Sequence, residues 1–158
     1  MILRKLLILF IIVALSGCSV PSKAVKVYFF DEDSKIISVE RELPTIENPV
    51  LIAIDQLMRG PSDQESSRGI FSKIPAGTRV RKVEVEGHTA IIDFNSTLAS
   101  ISGGNDEVND VLAQIIYTAT SVRGIKQAII KLQGRDQFTL GREEYVIDHP
   151  LERSDVKI

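Results

Sequence analysis

The stretch TAIIDF (Thr89–Phe94), followed after a loop by NDEVNDVLAQIIYTATSVRG (Asn105–Gly124), decides the fold class. The first run is short and rich in β-branched and aromatic residues, which predicts a strand. In the second run Val108, Val111, Leu112, Ile115, Ile116 and Ala119 recur at i, i+3, i+4, i+7, i+8 and i+11, so one stripe of a helix is apolar. Gly103 and Gly104 release the chain before this helix, and Gly124 is expected to end it. Upstream, Val80, Val83 and Val85 lead to Glu86-Gly87-His88, so two β-rich runs around that turn predict a hairpin. Lys82, Glu84 and Glu86 alternate with the valines, which leaves one face solvated.

Working outward, VKVYFF (Val25–Phe30) reads as a strand, Asp31 to Ser34 as a turn, and Ile36–Arg41 as a returning strand. Asn48-Pro49 has the form of an N-cap followed by proline at the first helical position. The segment after it places Val50, Ile54, Leu57 and Met58 on one face and stops at Gly60-Pro61. Ser62–Ser67 reads as a polar loop and Gly69–Thr78 as irregular chain. Ala128–Leu132 predicts a further strand, and a last one is expected around Tyr145–Ile147. The order β-β-α-β-β-α-β predicts an α+β single domain, with two helices packed on one face of a mixed sheet. No internal repeat or low-complexity segment occurs.

The chain has 158 residues, 44% apolar and 25% charged, enough to bury one core without disulfides. Nineteen basic residues face twenty-one acidic ones; setting aside Arg4 and Lys5 leaves seventeen, a balance of −4. With no basic run to displace counterions from phosphates, nucleic acid is excluded as a partner. The lone cysteine, Cys18, forms neither an internal disulfide nor a zinc site.

What precedes Cys18 assigns it a role. Arg4 and Lys5 make a positive segment, Leu6–Leu15 an unbroken apolar one, and Ser16 and Gly17 are small. That is the architecture of a secretory signal. The apolar run is about half the roughly twenty residues a bilayer core needs, so it is too short to span. Leu15-Ser16-Gly17-Cys18 resembles the lipobox of bacterial lipoproteins. The resemblance implies cleavage between Gly17 and Cys18 and attachment of diacylglycerol to the Cys18 thiol. Residues 1–17 are thus read as a lipoprotein signal peptide, 18–24 as the lipidated cysteine and tether, 25–153 as the folded domain and 154–158 as a tail. The expected location is the extracytoplasmic face of the cell membrane, held by lipid, or the outer membrane in a Gram-negative cell.

An ordered set of short motifs runs through the domain. Val27-Tyr28-Phe29 comes first, then Leu57-Met58-Arg59-Gly60-Pro61, Ile74-Pro75-Ala76-Gly77-Thr78 and TAIIDF with Asp93. Gln114-Ile115-Ile116-Tyr117-Thr118 and Ile129–Gly134 follow. In this order they resemble the GerMN domain of spore-germination and sporulation lipoproteins. The resemblance implies a fold similar to the ring-building motifs of secretion assemblies, a non-enzymatic role in sporulation, germination or envelope assembly, envelope proteins as partners, and self-association. The family's namesake type carries two such domains, and this chain has room for one. Gly60, Pro61, Pro75, Gly77, Thr78, Asp93, Tyr117 and Thr118 are the motif positions, and their own chemistry reads as structural: glycine for turn conformations, proline for stiff loop entries.

Chemistry beyond this is sparse. The G-x-S-x-G and G-x-x-x-x-G-K patterns are absent. His88, in a hairpin turn, reads as solvent-exposed, and His149 lies near the C-terminus; a hydrolase would need His88 to approach a carboxylate such as Asp93. Asp31, Glu32 and Asp33 lack the spacing of a calcium loop and read as a solvated turn. Ser102–Asn105 reads as helix capping rather than an anion cradle, because Asp106 and Glu107 follow. Tyr117 is expected at a boundary with its hydroxyl in water. No metal or cofactor is expected. The alternative to an interaction domain is a peptidoglycan- or small-ligand-binding lipoprotein, which needs a concave pocket with convergent polar groups.

Overall fold

The alternation expected of TAIIDF sets the centre of the fold. In the computed structural model, which describes residues 24–42 and 48–158, Ala90, Ile92 and Phe94 are buried while Thr89, Ile91 and Asp93 are not. The elements in chain order are β1 (Ala24–Phe30), β2 (Ile36–Glu42), α1 (Pro49–Arg59), α2 (Asp63–Ser66), β3 (Val80–Glu86) and β4 (Thr89–Phe94). A 3₁₀ turn (Ser96–Ser100), α3 (Asn105–Ala119), β5 (Gln127–Leu132), β6 (Phe138–Leu140), β7 (Tyr145–Ile147) and a 3₁₀ turn (Arg153–Asp155) complete it.

The strands form three ladders. A mixed sheet of order β3-β4-β5 is antiparallel between β3 and β4 and parallel between β4 and β5. The parallel register sets Ala90, Ile92 and Phe94 beside Ala128, Ile130 and Leu132, so one face is a continuous apolar surface. β1 and β2 form a separate antiparallel hairpin, and β6 and β7 a small one. α1 packs on β1, β3 and α3; α3 packs on β1 and β5, so both long helices share the buried side as expected. All six residues of the predicted α3 stripe are fully buried. At about 25 cal/mol per Å² of apolar surface, this stripe is a principal hydrophobic contribution of the core.

The local signals for α1 operate as predicted. Asn48 accepts from the Leu51 N–H, Pro49 opens the helix, and Gly60 closes it at φ +79°. Ala53 joins Val50, Ile54 and Leu57 in the core, while Met58 is only half-buried. Four expectations are corrected. Ser62–Ser67 is not a plain loop: Ser62 and Glu65 make a reciprocal capping box that nucleates α2. β6 was not anticipated, and it exists by pairing with β7. α3 ends at Ala119, where the Thr120 N–H and hydroxyl turn back to the Ile116 carbonyl, well before Gly124. Its N-cap is Gly104, with no side-chain cap.

The last residues are part of the packing. The Leu151 N–H and C=O pair with Ala128 on β5, Val156 is buried, and Asn109 exchanges two hydrogen bonds with the Lys157 backbone.

Candidate functional site: the α3–β1 seam and the distal groove

Cys18 and Gly17, the expected lipidation and cleavage positions, lie outside the described residues, as do the signal segment and the tether before Ala24. The motif positions lie inside them, and the structure brings one group together. Gln114, Thr118 and Ser121 are spaced i, i+4 and i+7 along α3 and its last turn, hence on one side of it. They lie along the edge of β1 that β2 leaves open. The Tyr28 N–H donates to Thr118 Oγ1 at 3.0 Å, and Gln114 Nε2 donates to the Tyr28 carbonyl at 3.0 Å. Ser121 Oγ donates to the Lys26 carbonyl at 2.9 Å, and Phe30 exchanges both backbone bonds with Phe71. Side chains thus do what a neighbouring strand would do for a β edge.

Gln114 is fully buried, and its amide is fully used: Oε1 also accepts from the Lys73 N–H at 2.7 Å. Tyr117 is half-buried against Tyr28 in an edge-to-face pair with ring centroids 5.4 Å apart. The Arg153 guanidinium sits 4.5 Å from the Tyr117 ring centroid and donates to Thr120 Oγ1 and the Tyr117 carbonyl. The sequence pointed to Tyr117 and Thr118, and Gln114 opened the same motif, whereas Arg153 carried no local signal.

The other motif residues serve turns. Thr78 is buried and bonds the Pro75 carbonyl through both its N–H and its hydroxyl. Gly77, at φ +87°, offers its carbonyl to Asn95. Pro61 follows the Gly60 cap. Asp93 accepts from the Gly134 N–H at 2.8 Å and from Arg81 at 3.0 Å, closing the turn after β5.

His88 and Asp93 do not meet. The His88 ring bonds the Gly124 carbonyl at 2.7 Å, beyond one end of β4. Asp93 lies near the other end, four strand rises of about 3.3 Å from Thr89. His149 pairs with its neighbour Asp148 on the surface. The Asp31 carboxylate accepts from the N–H groups of Asp33 and Lys35, making the expected turn. Among the described residues, no cluster of three His, Cys, Asp or Glu side chains is arranged to hold a metal. Nor is any described helix long and apolar enough to cross a membrane.

Two half-buried ion pairs brace the loops around α1 and α3. Arg41 binds Glu65 through both guanidinium nitrogens at 2.7 and 2.5 Å. That fork, together with the Ser62 N–H, outweighs desolvation and lowers the Glu65 pKa from 4.5 to about 2. Lys73 joins Asp110 at 2.5 Å, with its ammonium 4.9 Å from the Phe30 ring centroid.

Above the Lys73–Asp110 pair opens a groove of about 510 Å³, between the start of α3, the β1–β2 turn and the C-terminal residues. Its polar lining includes Asp106, Asn109, Asp110, Tyr145, Asp155 and Lys157. The volume falls in the range of small-ligand sites.

The comparisons bear on the fold this geometry builds. Residues 26–138 match the family described as Germane, sporulation and spore germination. A search of curated proteins finds no match. Among solved structures, the tandem GerMN domains of the sporulation protein GerM from Bacillus subtilis are similar at TM-score 0.68 and 21% identity, over 87% of this chain and 48% of that one. The chain therefore spans about half of that tandem structure. The first GerMN domain of the same protein matches at TM-score 0.70 and 20% identity, over 85% of this chain and 100% of that one. A candidate lipoprotein from Clostridium perfringens matches at TM-score 0.58 and 19% identity, over 85% and 90%. With a matched stretch running from β1 into β6, the chain belongs to the Germane family of sporulation and spore germination.

Proposed function

We propose that this chain is a membrane-anchored extracytoplasmic lipoprotein whose Germane domain is a non-catalytic interaction module in a sporulation, germination or envelope complex. The observation that carries the non-catalytic part is the use of the motif side chains: Thr78, Asp93, Gln114 and Thr118 are all committed to backbone groups of their own fold. The anchor rests on the order of residues before Cys18, and the process on the family. Likeness to a candidate lipoprotein of the same fold is in keeping with the anchor.

Partners are envelope proteins in this reading. Self-association through strand edges would fall to β2 and β3, because β1 is closed by α3 and Phe71, and β5 is partly paired by Leu151. On β3 the Asn48 side chain occupies the Val83 carbonyl. In a spore-forming host, deletion of the gene should lower spore yield or germination, and wild-type and His88→Ala genes should restore it equally. Full restoration by wild type but none by a stably folded His88→Ala would argue for chemistry instead. Cross-linking and pull-down from detergent-solubilised membranes should recover defined envelope proteins; recovery of this chain alone at native abundance contradicts the module reading.

The distal groove favours one second reading, a small-ligand or peptidoglycan-fragment site. Titration of solubilised protein with muropeptides, followed by amide NMR shifts at Asn105–Asp110, separates it from the first.

A further inference from the structure

We infer that the anchored domain stands on the membrane by one pole, with Lys26, Arg123 and Lys126 against anionic lipid headgroups and the groove turned away. The inference rests on the lipid-anchor reading and adds an orientation to it.

The pole is defined by the topology. α3 runs antiparallel to β1, from Gln114 beside Tyr28 to Ser121 beside Lys26, so the start of β1 lies at the C-terminal end of α3. The loop after α3 is tied there to the β3–β4 turn, through His88 to the Gly124 carbonyl and the Lys126 N–H to the His88 carbonyl. Ala24, Lys26, His88, Arg123 and Lys126 are all exposed at this end.

Six peptide links separate Cys18 from Ala24, and at 3.3–3.6 Å per residue they reach at most about 20–22 Å. β1 alone, at about 3.3 Å per residue, is nearly as long. Presenting the opposite pole to the bilayer would use the whole tether merely to retrace β1.

Charge favours the same orientation. Among the described residues, Lys26, Arg123 and Lys126 have no carboxylate within ion-pair distance. Glu40, Glu42 and Glu86 lie nearby, opposite Lys26, opposite Ala24 and at the end of β3. The far pole carries Asp31, Glu32 and Asp33 in the β1–β2 turn and Asp106 and Glu107 in the first turn of α3. The three cations offset the three carboxylates at the first end, whereas at the second Lys35 offsets only one of five, so a negative leaflet repels the second end more strongly.

The test uses full-length lipidated protein in phosphatidylcholine vesicles with or without phosphatidylglycerol. Because an acylated Cys18 has no free thiol, a single introduced cysteine takes the dye, at Glu86→Cys near the pole or Asp33→Cys at the far end. With phosphatidylglycerol present, brominated lipids should quench the dye at position 86 and leave position 33 bright. Adding Arg123→Glu and Lys126→Glu should abolish the quenching while the protein still floats with the vesicles. Equal quenching at both positions, or quenching at 86 that ignores charge reversal and phosphatidylglycerol, overturns the proposal. A full-length chain that carries no lipid and does not float overturns the anchor itself, and the orientation with it.

Discussion

Thr118 on α3 accepts a hydrogen bond from the backbone N–H of Tyr28 on β1, 3.0 Å long and spanning ninety residues. With Gln114 on the Tyr28 carbonyl, it lets a helix satisfy both polar groups of an edge-strand residue. Thr118→Val keeps the shape and removes the acceptor, leaving a largely buried N–H unpaired, at a cost of about 1–3 kcal/mol. Gln114→Leu strands the Lys73 N–H as well and should cost at least as much. Urea unfolding of the domain lacking residues 1–18 checks both, through a lower midpoint at unchanged slope.

Acid should release a second clamp. Arg41 holds the Glu65 pKa at about 2, below its ordinary 4.5. A depressed carboxylate pKa means this contribution is fully present above about pH 4.5 and is lost as pH falls toward 2. Arg41→Gln should lower stability at pH 7 by about 1.5–3 kcal/mol, the worth of hydrogen bonds to a charged group. It should also flatten the part of the acid dependence that belongs to Glu65. Denaturant midpoints for the two proteins between pH 7 and pH 3 should converge; a constant gap would contradict the assignment.

Two turn glycines should respond in opposite ways. A Cβ at Gly141, φ +71°, would lie 2.6 Å from Val108 Cγ2 and 3.1 Å from the Gly103 carbonyl. Gly141→Ala should therefore cost more than the roughly 1–2 kcal/mol of a left-handed conformation alone. At Gly87, φ +59°, no atom lies within 4 Å of that position, and asparagine tolerates this region. Gly87→Asn should change stability by less than about 1 kcal/mol. Thermal melts of the two variants decide between space and conformation as the reason for each glycine.

Elements that depend on local chemistry were legible in the sequence. Asn48-Pro49 and Gly60 bracket α1, the 3.6-residue stripe from Val108 to Ala119 gives α3, and the alternation in Thr89–Phe94 gives a strand with one buried face. The Ser62–Glu65 capping box was also present, but with no apolar run behind it the segment resembled a loop. β6 is three residues long and exists only through β7. The seam was half legible: Tyr117 and Thr118 stood in a family motif, but nothing local says that position 118 meets position 28, or that Arg153 returns to Tyr117. Those contacts are set by tertiary packing, which neither periodicity nor spacing encodes.

The motif aspartate Asp93 and the histidine His88 should also separate by role. Asp93→Ala removes the partner of the Gly134 N–H and of Arg81 and should destabilise the domain by about 1–2 kcal/mol. His88→Ala, in an exposed turn, should fall within about 0.5 kcal/mol of wild type. A hydrolase built on the pair would instead lose function in both variants at unchanged stability.

If Cys18 makes this domain a lipoprotein, as proposed, lipid is attached at that residue, and that attachment can be measured directly. Cells expressing the full chain are fed an alkyne fatty acid, and the purified protein is analysed by intact mass and detergent phase partition. Wild type should lack residues 1–17, carry acyl chains on Cys18 and enter the detergent phase, whereas Cys18→Ala should remain unlabelled and uncleaved at Gly17. A wild-type chain that is cut elsewhere, or keeps a free Cys18 thiol and stays in the aqueous phase, would contradict the account.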